Sequence, residues 1–182
     1  MTAVSLKTIV EGLLFVADEP LSLERLALAF EEPPPPGRLE QVLDELMDEY
    51  EEPGRAFVLR RVAGGFQFRT RPELAPNILR LKKKSPARLS KAALETLAVI
   101  AYRQPVLKAE VEKIRGVEAG GLIKALLEKE LIRVVGRREL PGRPLLYGTT
   151  RKFLETFDLP SLEALPSIEE IESLGQAEAS LF

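Results

Sequence analysis

The stretch ETLAVIAYRQPVLKAEVEKI, residues 95–114, matches EGLLFVADEPLSLERLALAF, residues 11–30, in the order of its features. Each begins with an acidic residue, continues as an apolar helical run, reaches a proline and ends in a second apolar-periodic segment. Pro20 and Pro105 are predicted to separate two helices, because proline cannot continue the first helix and fits the start of the second. The two stretches are related by an offset of 84 or 85 residues. An internal repeat of this kind predicts two copies of one fold.

Each copy continues with a third helical pattern and then with strand-like residues. The helical patterns are RLEQVLDELMDEY from residue 38 and GGLIKALLEKEL from residue 120. Hairpins are predicted in FVLRRVAGGFQFRT, residues 57–70, around its Gly-Gly pair, and in IRVVGRRELPGRPLLYGTT, residues 132–150. Three short amphipathic helices closed by a hairpin form the winged-helix architecture. We therefore expect a mainly α chain with small β-hairpins, built from two tandem winged-helix domains.

The domain boundaries follow from a break in the apolar periodicity. LKKKSPARLS, residues 81–90, carries three consecutive lysines and a Ser-Pro pair, and Ser90 is a candidate cap for the next helix. We predict an N-terminal domain at 1–80, a linker at 81–88 and a C-terminal domain at 89–160. Residues 161–182 hold five glutamates and no basic residue, which predicts an acidic, peripheral tail.

The composition excludes several classes of function. The 182 residues are 45% apolar and 30% charged, as in soluble globular proteins, and an uncharged run long enough to cross a bilayer does not occur. We expect a cytoplasmic protein without a membrane partner. Cysteine and histidine are absent, which excludes Cys-His pairs, Ser-His-Asp triads and the usual zinc sites. We expect no catalytic residues, no metal, no cofactor and no enzyme activity.

The two third helices are poorly suited to reading DNA. The first carries seven acidic and no basic residues over 39–52, and the second offers only Lys124 and Lys129, with no Arg, Asn or Gln to meet a base edge. Residues 85–160 hold 14 basic and nine acidic residues, and the positive charge gathers on the second hairpin. Weak, non-specific DNA contact therefore stays open, and a winged-helix DNA-binding transcription regulator is the alternative function.

The second hairpin carries a long connection. Ile132–Val135 and Leu145–Tyr147 are predicted strands, Arg137–Pro144 is the wing between them, and Gly142 is a candidate for positive φ. Arg143 stands between Gly142 and a proline. Rigidly displayed Arg and Tyr side chains are typical of protein-binding hot spots, so the wing is either a docking surface or a plain turn.

Residues 89–166 resemble the segregation and condensation protein B family. The motifs are ETLAVIAYRQP, IRG at 114–116, LIRVVGR and PGRPLLYGTT, and the first half of the chain fits more loosely. The resemblance implies a non-enzymatic adaptor in chromosome condensation and segregation during cell division, at the nucleoid. It also implies a homodimer, formed mainly through the N-terminal domain, that binds the kleisin ScpA directly. The SMC ATPase is reached through that kleisin, and the adaptor stabilises the assembly.

The motif positions, together with the basic wing, define a set of candidate residues. Each is expected either to contact the partner or to shape the wing, and both roles stay open. The set consists of Tyr102, Gln104, Pro105, Arg115, Gly116, Arg137, Arg138, Gly142, Arg143, Pro144 and Tyr147.

Overall fold

The computed structural model describes residues 4–82, 88–167 and 170. Within these residues the helices are α1 Leu6–Val16, α2 Leu23–Ala27, α3 Arg38–Glu51, α4 Ala75–Lys82, α5 Lys91–Arg103, α6 Lys108–Arg115, α7 Gly120–Glu128 and α8 Arg151–Thr156. The strands are β1 Phe57–Val62, β2 Gly65–Thr70, β3 Val106–Leu107, β4 Ile132–Arg137 and β5 Leu145–Thr149. Single 3-10 turns lie at Pro72–Leu74 and Leu162–Ala164.

The first domain packs α1, α2 and α3 against one face of the β1–β2 hairpin. Its core contains Val10, Leu26, Leu43, Leu46 and Leu59, all almost fully buried. These residues recur at helical spacing on α1 and α3, so each helix turns one apolar stripe inward. The hairpin is antiparallel and joins its strands through a two-residue turn.

The second domain repeats this arrangement with α5, α6 and α7. Its core contains Leu97, Ile100, Val111, Leu126 and Ile132. Its sheet has three strands in the order β3–β5–β4, and both pairs are antiparallel. The predicted architecture of two tandem winged-helix domains is confirmed. Burial of these two apolar clusters, at roughly 25 cal/mol per Å², is the main force that holds each domain together.

The helix starts confirm one sequence prediction and correct another. Ser90 caps α5, where its Oγ accepts a hydrogen bond from the Ala93 amide at 3.2 Å. The prolines do not begin the second helices. Pro105 precedes the short strand β3, and Pro20 precedes Leu21, which forms an isolated bridge with Phe66. The second helices therefore start three residues after each proline, because Leu21 in the first domain and β3 in the second first join the sheet.

Two short helices were not predicted from the sequence. α4 follows the first hairpin and α8 follows the second, so each domain ends in a fourth helix. α4 shows no buried residue, which explains why no core-facing stripe signalled it. The predicted linker begins inside α4, and residues 83–87 lie outside the described residues.

The domains contact each other through the segment after α8. Its carbonyl groups accept hydrogen bonds from the β1–β2 turn: Ala63 N–H donates to Leu159 O at 2.8 Å and Gly64 N–H to Pro160 O at 2.9 Å. Arg151 also donates to Pro20 O at 2.6 Å. The domains thus meet through hydrogen bonds onto backbone carbonyl groups, donated by two backbone amides and by an arginine side chain.

The beginning of the predicted acidic tail also packs on the protein. Leu165 packs against the second core. Residues 168, 169 and 171–182, which hold most of the predicted tail, lie outside the described residues. The boundary at residue 160 stays a prediction.

Candidate protein-binding surfaces

The wing of the second domain, residues 137–144, is held by hydrogen bonds within itself. Arg138 N–H donates to Pro144 O at 3.0 Å, and Arg143 N–H donates to Leu140 O at 2.8 Å. The Arg137 guanidinium donates to Arg143 O at 3.2 Å. These three hydrogen bonds favour the observed conformation of the loop.

The tip of the wing places Arg143 in solvent. Gly142 has φ 80°, as predicted, and Arg143 has φ 42°. A non-glycine residue in the left-handed region is uncommon and points to a site worth testing. The Arg143 side chain is 69% exposed, and its ion pair with Glu139 at 3.4 Å is a surface pair of small energy. The guanidinium is therefore available to another molecule.

Glu110 connects the wing to the start of α6. Its Oε2 accepts from the Leu107 amide at 2.8 Å, and its Oε1 accepts from the Arg138 guanidinium at 2.6 Å. The Leu107 amide first, and the Arg138 guanidinium second, hold the pKa of this carboxyl below its ordinary value of 4.5. Arg138 thus fastens the wing to the helical part of the domain.

Gln104 joins the end of α5 to the sheet. Its Oε1 accepts from both the amide and the hydroxyl of Thr149, at 2.7 and 3.0 Å, and its amide group donates to Ala101 O at 3.1 Å. The next peptide bond, to Pro105, is cis. A Cβ at Gly148 would lie 2.9 Å from Gln104 Oε1, so only glycine leaves room for this contact. The structure therefore leaves Gln104 half-buried, with its side-chain amide engaged by the fold.

Arg115 lies at the end of α6 against α5. It donates to Ala92 O at 2.9 Å, to Glu95 at 2.7 Å and to the hydroxyl of buried Thr96, and its side chain is only 11% exposed. Gly116 ends α6 with φ 69°. Arg115 thus holds the first two helices of the domain together, and Gly116 closes the end of α6.

The two tyrosines of the candidate set differ in exposure. Tyr147 is 8% exposed and belongs to the second core. Tyr102 is exposed, and its hydroxyl donates to Pro166 O at 2.6 Å. The predicted set is therefore spread over the core, the α5 surface and the wing, and the assignment of any member to partner contact stays a prediction.

An apolar surface on the first domain was missed by the sequence analysis. A cleft of 570 Å³ lies between α1 and the hairpin. It is lined by Thr8, Glu11, Gly12, Phe15, Tyr50, Phe57, Phe68 and Thr70. Phe15 is 75% exposed, and a Cβ at Gly12 would meet nothing within 4 Å, so the cleft is open above α1.

Tyr50 forms the floor of this cleft. Its hydroxyl donates to the Glu11 carboxylate, its ring lies 4.6 Å from the Phe68 ring, and Arg55 stands over it at 4.9 Å. The hydrogen bond to Glu11 first, and burial second, raise the pKa of Tyr50 above its ordinary value. An aromatic floor with few polar groups suits an apolar side chain of another protein.

One sequence signal could have revealed this surface. α1 reads LKTIVEGLLFV, and its apolar residues surround the helix instead of forming one stripe. Only Val10 and Leu14 are buried, which leaves Ile9 and Phe15 outside the core. A helix that is apolar on more than one face needs a second covering surface.

Among residues 4–82, 88–167 and 170, no group of three or more Asp and Glu side chains is placed to hold a metal ion. None of the helices in the described ranges combines the length and the apolar character that a membrane crossing requires.

The chain matches a protein-family model over most of its length. The family model described as "Segregation and condensation complex subunit ScpB" matches residues 8–168. The chain belongs to the ScpB family. The match begins inside α1 and includes the rest of both domains and the segment after α8.

The chain is also similar to individual relatives and solved structures. Segregation and condensation protein B of Syntrophotalea carbinolica is 51% identical over the whole chain and 91% of its own length. The crystal structure of ScpB from Mycobacterium tuberculosis is 36% identical, with 84% of this chain and 94% of that chain covered and a TM-score of 0.39. A dimer of an ScpB N-terminal domain complexed with an ScpA peptide is 34% identical and covers 41% of this chain and 91% of that chain, with a TM-score of 0.37.

Proposed function

We propose that this protein is a non-enzymatic adaptor of the bacterial chromosome-condensation machinery. It forms a homodimer, binds the kleisin ScpA and, through the kleisin, stabilises assembly with the SMC ATPase during chromosome segregation. It acts in the cytoplasm at the nucleoid. The observation that carries the proposal is membership of the ScpB family over residues 8–168.

Two exposed features support protein binding. The first domain leaves an aromatic cleft and Phe15 uncovered, which suits a dimer contact or an apolar anchor of the kleisin. The second domain offers a rigid wing with an exposed arginine. Apolar burial would supply the affinity, and the charged rim would set register and specificity.

The charge of the third helices argues against base-specific DNA binding. α3 carries a row of acidic residues, and phosphate would repel it. Lys124 of α7, whose side chain is 79% exposed, pairs with Glu128 at 3.9 Å, so even this cation is partly compensated. The charge pattern therefore favours an adaptor over a transcription regulator.

Size-exclusion chromatography with light scattering tests the proposal. The full chain alone should elute as a dimer of about 40 kDa, twice its 20.2 kDa, and should shift to a larger particle with the central segment of ScpA. An ScpA peptide is the appropriate probe, because a related N-terminal domain was crystallised with one. A monomer that ignores ScpA would overturn the proposal.

Two substitutions separate the surfaces. Phe15→Asp should impair dimerisation or ScpA binding by about tenfold or more, because it places a charge in an apolar contact. Leu28→Asp is the matched control, since Leu28 is 84% exposed and lies outside the cleft.

Arg143→Glu should weaken ScpA binding while dimerisation and folding persist. Equal behaviour of all three variants and the parent would contradict both surface assignments.

A further inference from the structure

β4 is an edge strand of the second sheet. In the part of the chain that the structure describes it pairs with β5 alone, and β5 lies between β4 and β3. An edge strand leaves about half of its backbone N–H and C=O groups without a partner strand. The six residues of β4 span roughly 20 Å, which is long enough to receive a further strand.

The hydrogen bonds of β5 show which groups at the start of β4 face outward. Thr149 N–H donates to Gln104, which precedes β3, so Thr149 turns its backbone toward β3 and away from β4. Ile132, the partner of Thr149 in β4, therefore turns its own backbone away from β5. Because antiparallel pairs alternate, the backbone of Val134 also points to the free edge.

The other end of β4 follows the same alternation. Arg138 N–H donates to Pro144 O across the start of the wing, which leaves the backbone of the preceding residue, Arg137, facing outward. Among the described residues, no loop and no side chain forms a hydrogen bond with the backbone of β4. The N–H groups of Val134 and Arg137 are therefore available to a new strand.

The side chains along this edge combine apolar and basic character. Val134 is 44% exposed and Val135 43%. Arg133 and Arg137 are exposed on either side of them, and within the described residues neither forms an ion pair with a carboxylate. Two uncompensated positive charges thus flank an apolar pair at the edge of the sheet.

These charges favour an acidic segment over a second copy of the chain. A second copy paired antiparallel about Val135 would set Arg133 opposite Arg137, and like charges directly opposite each other destabilise a sheet. The bulge between Val134 and Gly136 also interrupts the flat edge that two identical strands would need. An extended segment with Asp or Glu beside its apolar residues suits both the valines and the arginines.

We propose that β4 receives an extended, acidic segment of ScpA as a fourth strand of the second sheet. The segment forms backbone hydrogen bonds with Val134 and Arg137, covers the exposed valines and places carboxylates beside the Arg133 and Arg137 guanidinium groups. This inference rests on the proposed function, because ScpA supplies the segment.

Amide hydrogen exchange of the full chain, measured residue by residue with NMR, tests the strand addition. The chain is compared alone and saturated with the central segment of ScpA. Exchange at the Val134 and Arg137 amides should slow by at least about tenfold, because these amides gain a hydrogen bond. The amide of Arg133 already faces β5 and should change less. Such alternation identifies a new strand, whereas a contact made by side chains alone has no reason to alternate.

Two pairs of variants, measured by calorimetric titration with the same ScpA segment, complete the test. Val134→Pro removes an outward N–H without removing a bond to β5, and it should bind at least about tenfold more weakly than Val134→Ala. Arg133→Glu should bind at least about fivefold more weakly than Arg133→Lys, because it reverses the charge beside the edge. The arginine pair decides the question if the proline variant fails to fold.

The outcomes separate this inference from the proposed function. Binding of ScpA with alternating protection along β4 supports both. Binding with unchanged exchange at Val134 and Arg137 overturns the strand addition alone, and absence of any binding overturns the proposed function and the strand addition with it. Slow exchange at both amides in the chain without ScpA, appearing as the protein concentration rises, would assign the edge to a second copy and also overturn the inference.

Discussion

The two winged-helix domains share an architecture but stabilise it with different chemistry. Under the 85-residue offset, Arg115 at the end of α6 corresponds to Phe30 in the first domain. Phe30 packs against the first core, whereas Arg115 connects α6 to α5 by hydrogen bonds and an ion pair. An apolar side chain tolerates approximate packing, but a buried guanidinium needs all of its acceptors. The second domain is therefore the more sensitive to single changes at this position.

The two hairpins also differ in the length of their connections and in what holds them. The first uses the two-residue turn Ala63–Gly64, and the second uses a seven-residue connection fastened by Arg138 and Glu110. The first domain exposes an aromatic cleft beside its hairpin, and the second exposes an arginine on its wing. Two copies of one fold thus present two different exposed surfaces, as expected when function resides in the surface rather than in the fold.

Removal of the Arg115 side chain should give the largest effect on stability. Arg115→Ala leaves Glu95 and the buried Thr96 hydroxyl without their partner, and we expect the second domain to lose about 3 kcal/mol. Urea unfolding followed by domain-resolved hydrogen exchange measures the loss. Arg103→Ala is the control and should stay within about 0.5 kcal/mol. A shift of similar size in both variants would show that Arg115 adds no specific stability.

The glycines of the two hairpins provide a matched pair. A Cβ at Gly65 would lie 2.8 Å from the Leu21 backbone, whereas one at Gly148 would meet the Gln104 side chain at 2.9 Å. A backbone cannot move aside as a side chain can. Gly65→Ala should therefore cost about 2–3 kcal/mol and Gly148→Ala about 1 kcal/mol, measured by thermal unfolding. The reverse order would refute this comparison of the sheets.

Arg69 provides a test of the contact between the domains. Its guanidinium donates to Glu155 O at 3.0 Å, and its buried Nε lies 3.4 Å from Asp158 without the alignment of a hydrogen bond. Arg69→Ala should cost about 1 kcal/mol and accelerate hydrogen exchange at the Ala63 and Gly64 amides. Arg60→Ala removes an exposed ion pair with Glu51 and serves as the control. Unchanged exchange at both amides would mean that Arg69 does not hold the domains together.

Glu110 should give the smallest effect, and one that depends on pH. Because its pKa is lowered in the folded protein, its stabilising contribution is present above the ordinary carboxyl value of 4.5 and is lost as the pH falls through the folded pKa. The difference in unfolding midpoint between the parent and Glu110→Gln should therefore shrink below pH 4.5. Glu128→Gln, in a weak exposed pair, should show no such trend. A difference that grows on acidification would contradict the assigned cause.

Local chemistry made much of the fold predictable. The repeat, the apolar stripes and the cap at Ser90 predicted the helices, and Gly142 predicted a left-handed turn. Each of these signals comes from residues that are close in sequence. α4 was not predicted because it has no buried residue and therefore no core-facing stripe, and β3 was not predicted because two residues carry no periodicity. The contacts of Arg115 with α5 join residues about 20 apart, so no local pattern could indicate them.

The sequence by itself determined two winged-helix domains, the absence of cysteine and histidine chemistry, and the resemblance to the ScpB family. These conclusions rest on composition, periodicity and motif order, which are properties of the chain alone. Only the tertiary structure decided which candidates face solvent, packed the Arg115 and Tyr147 side chains largely out of solvent, joined Gln104 to Thr149, and revealed the cleft at Phe15. Exposure depends on which faces the packed elements cover, and that is settled when distant segments meet.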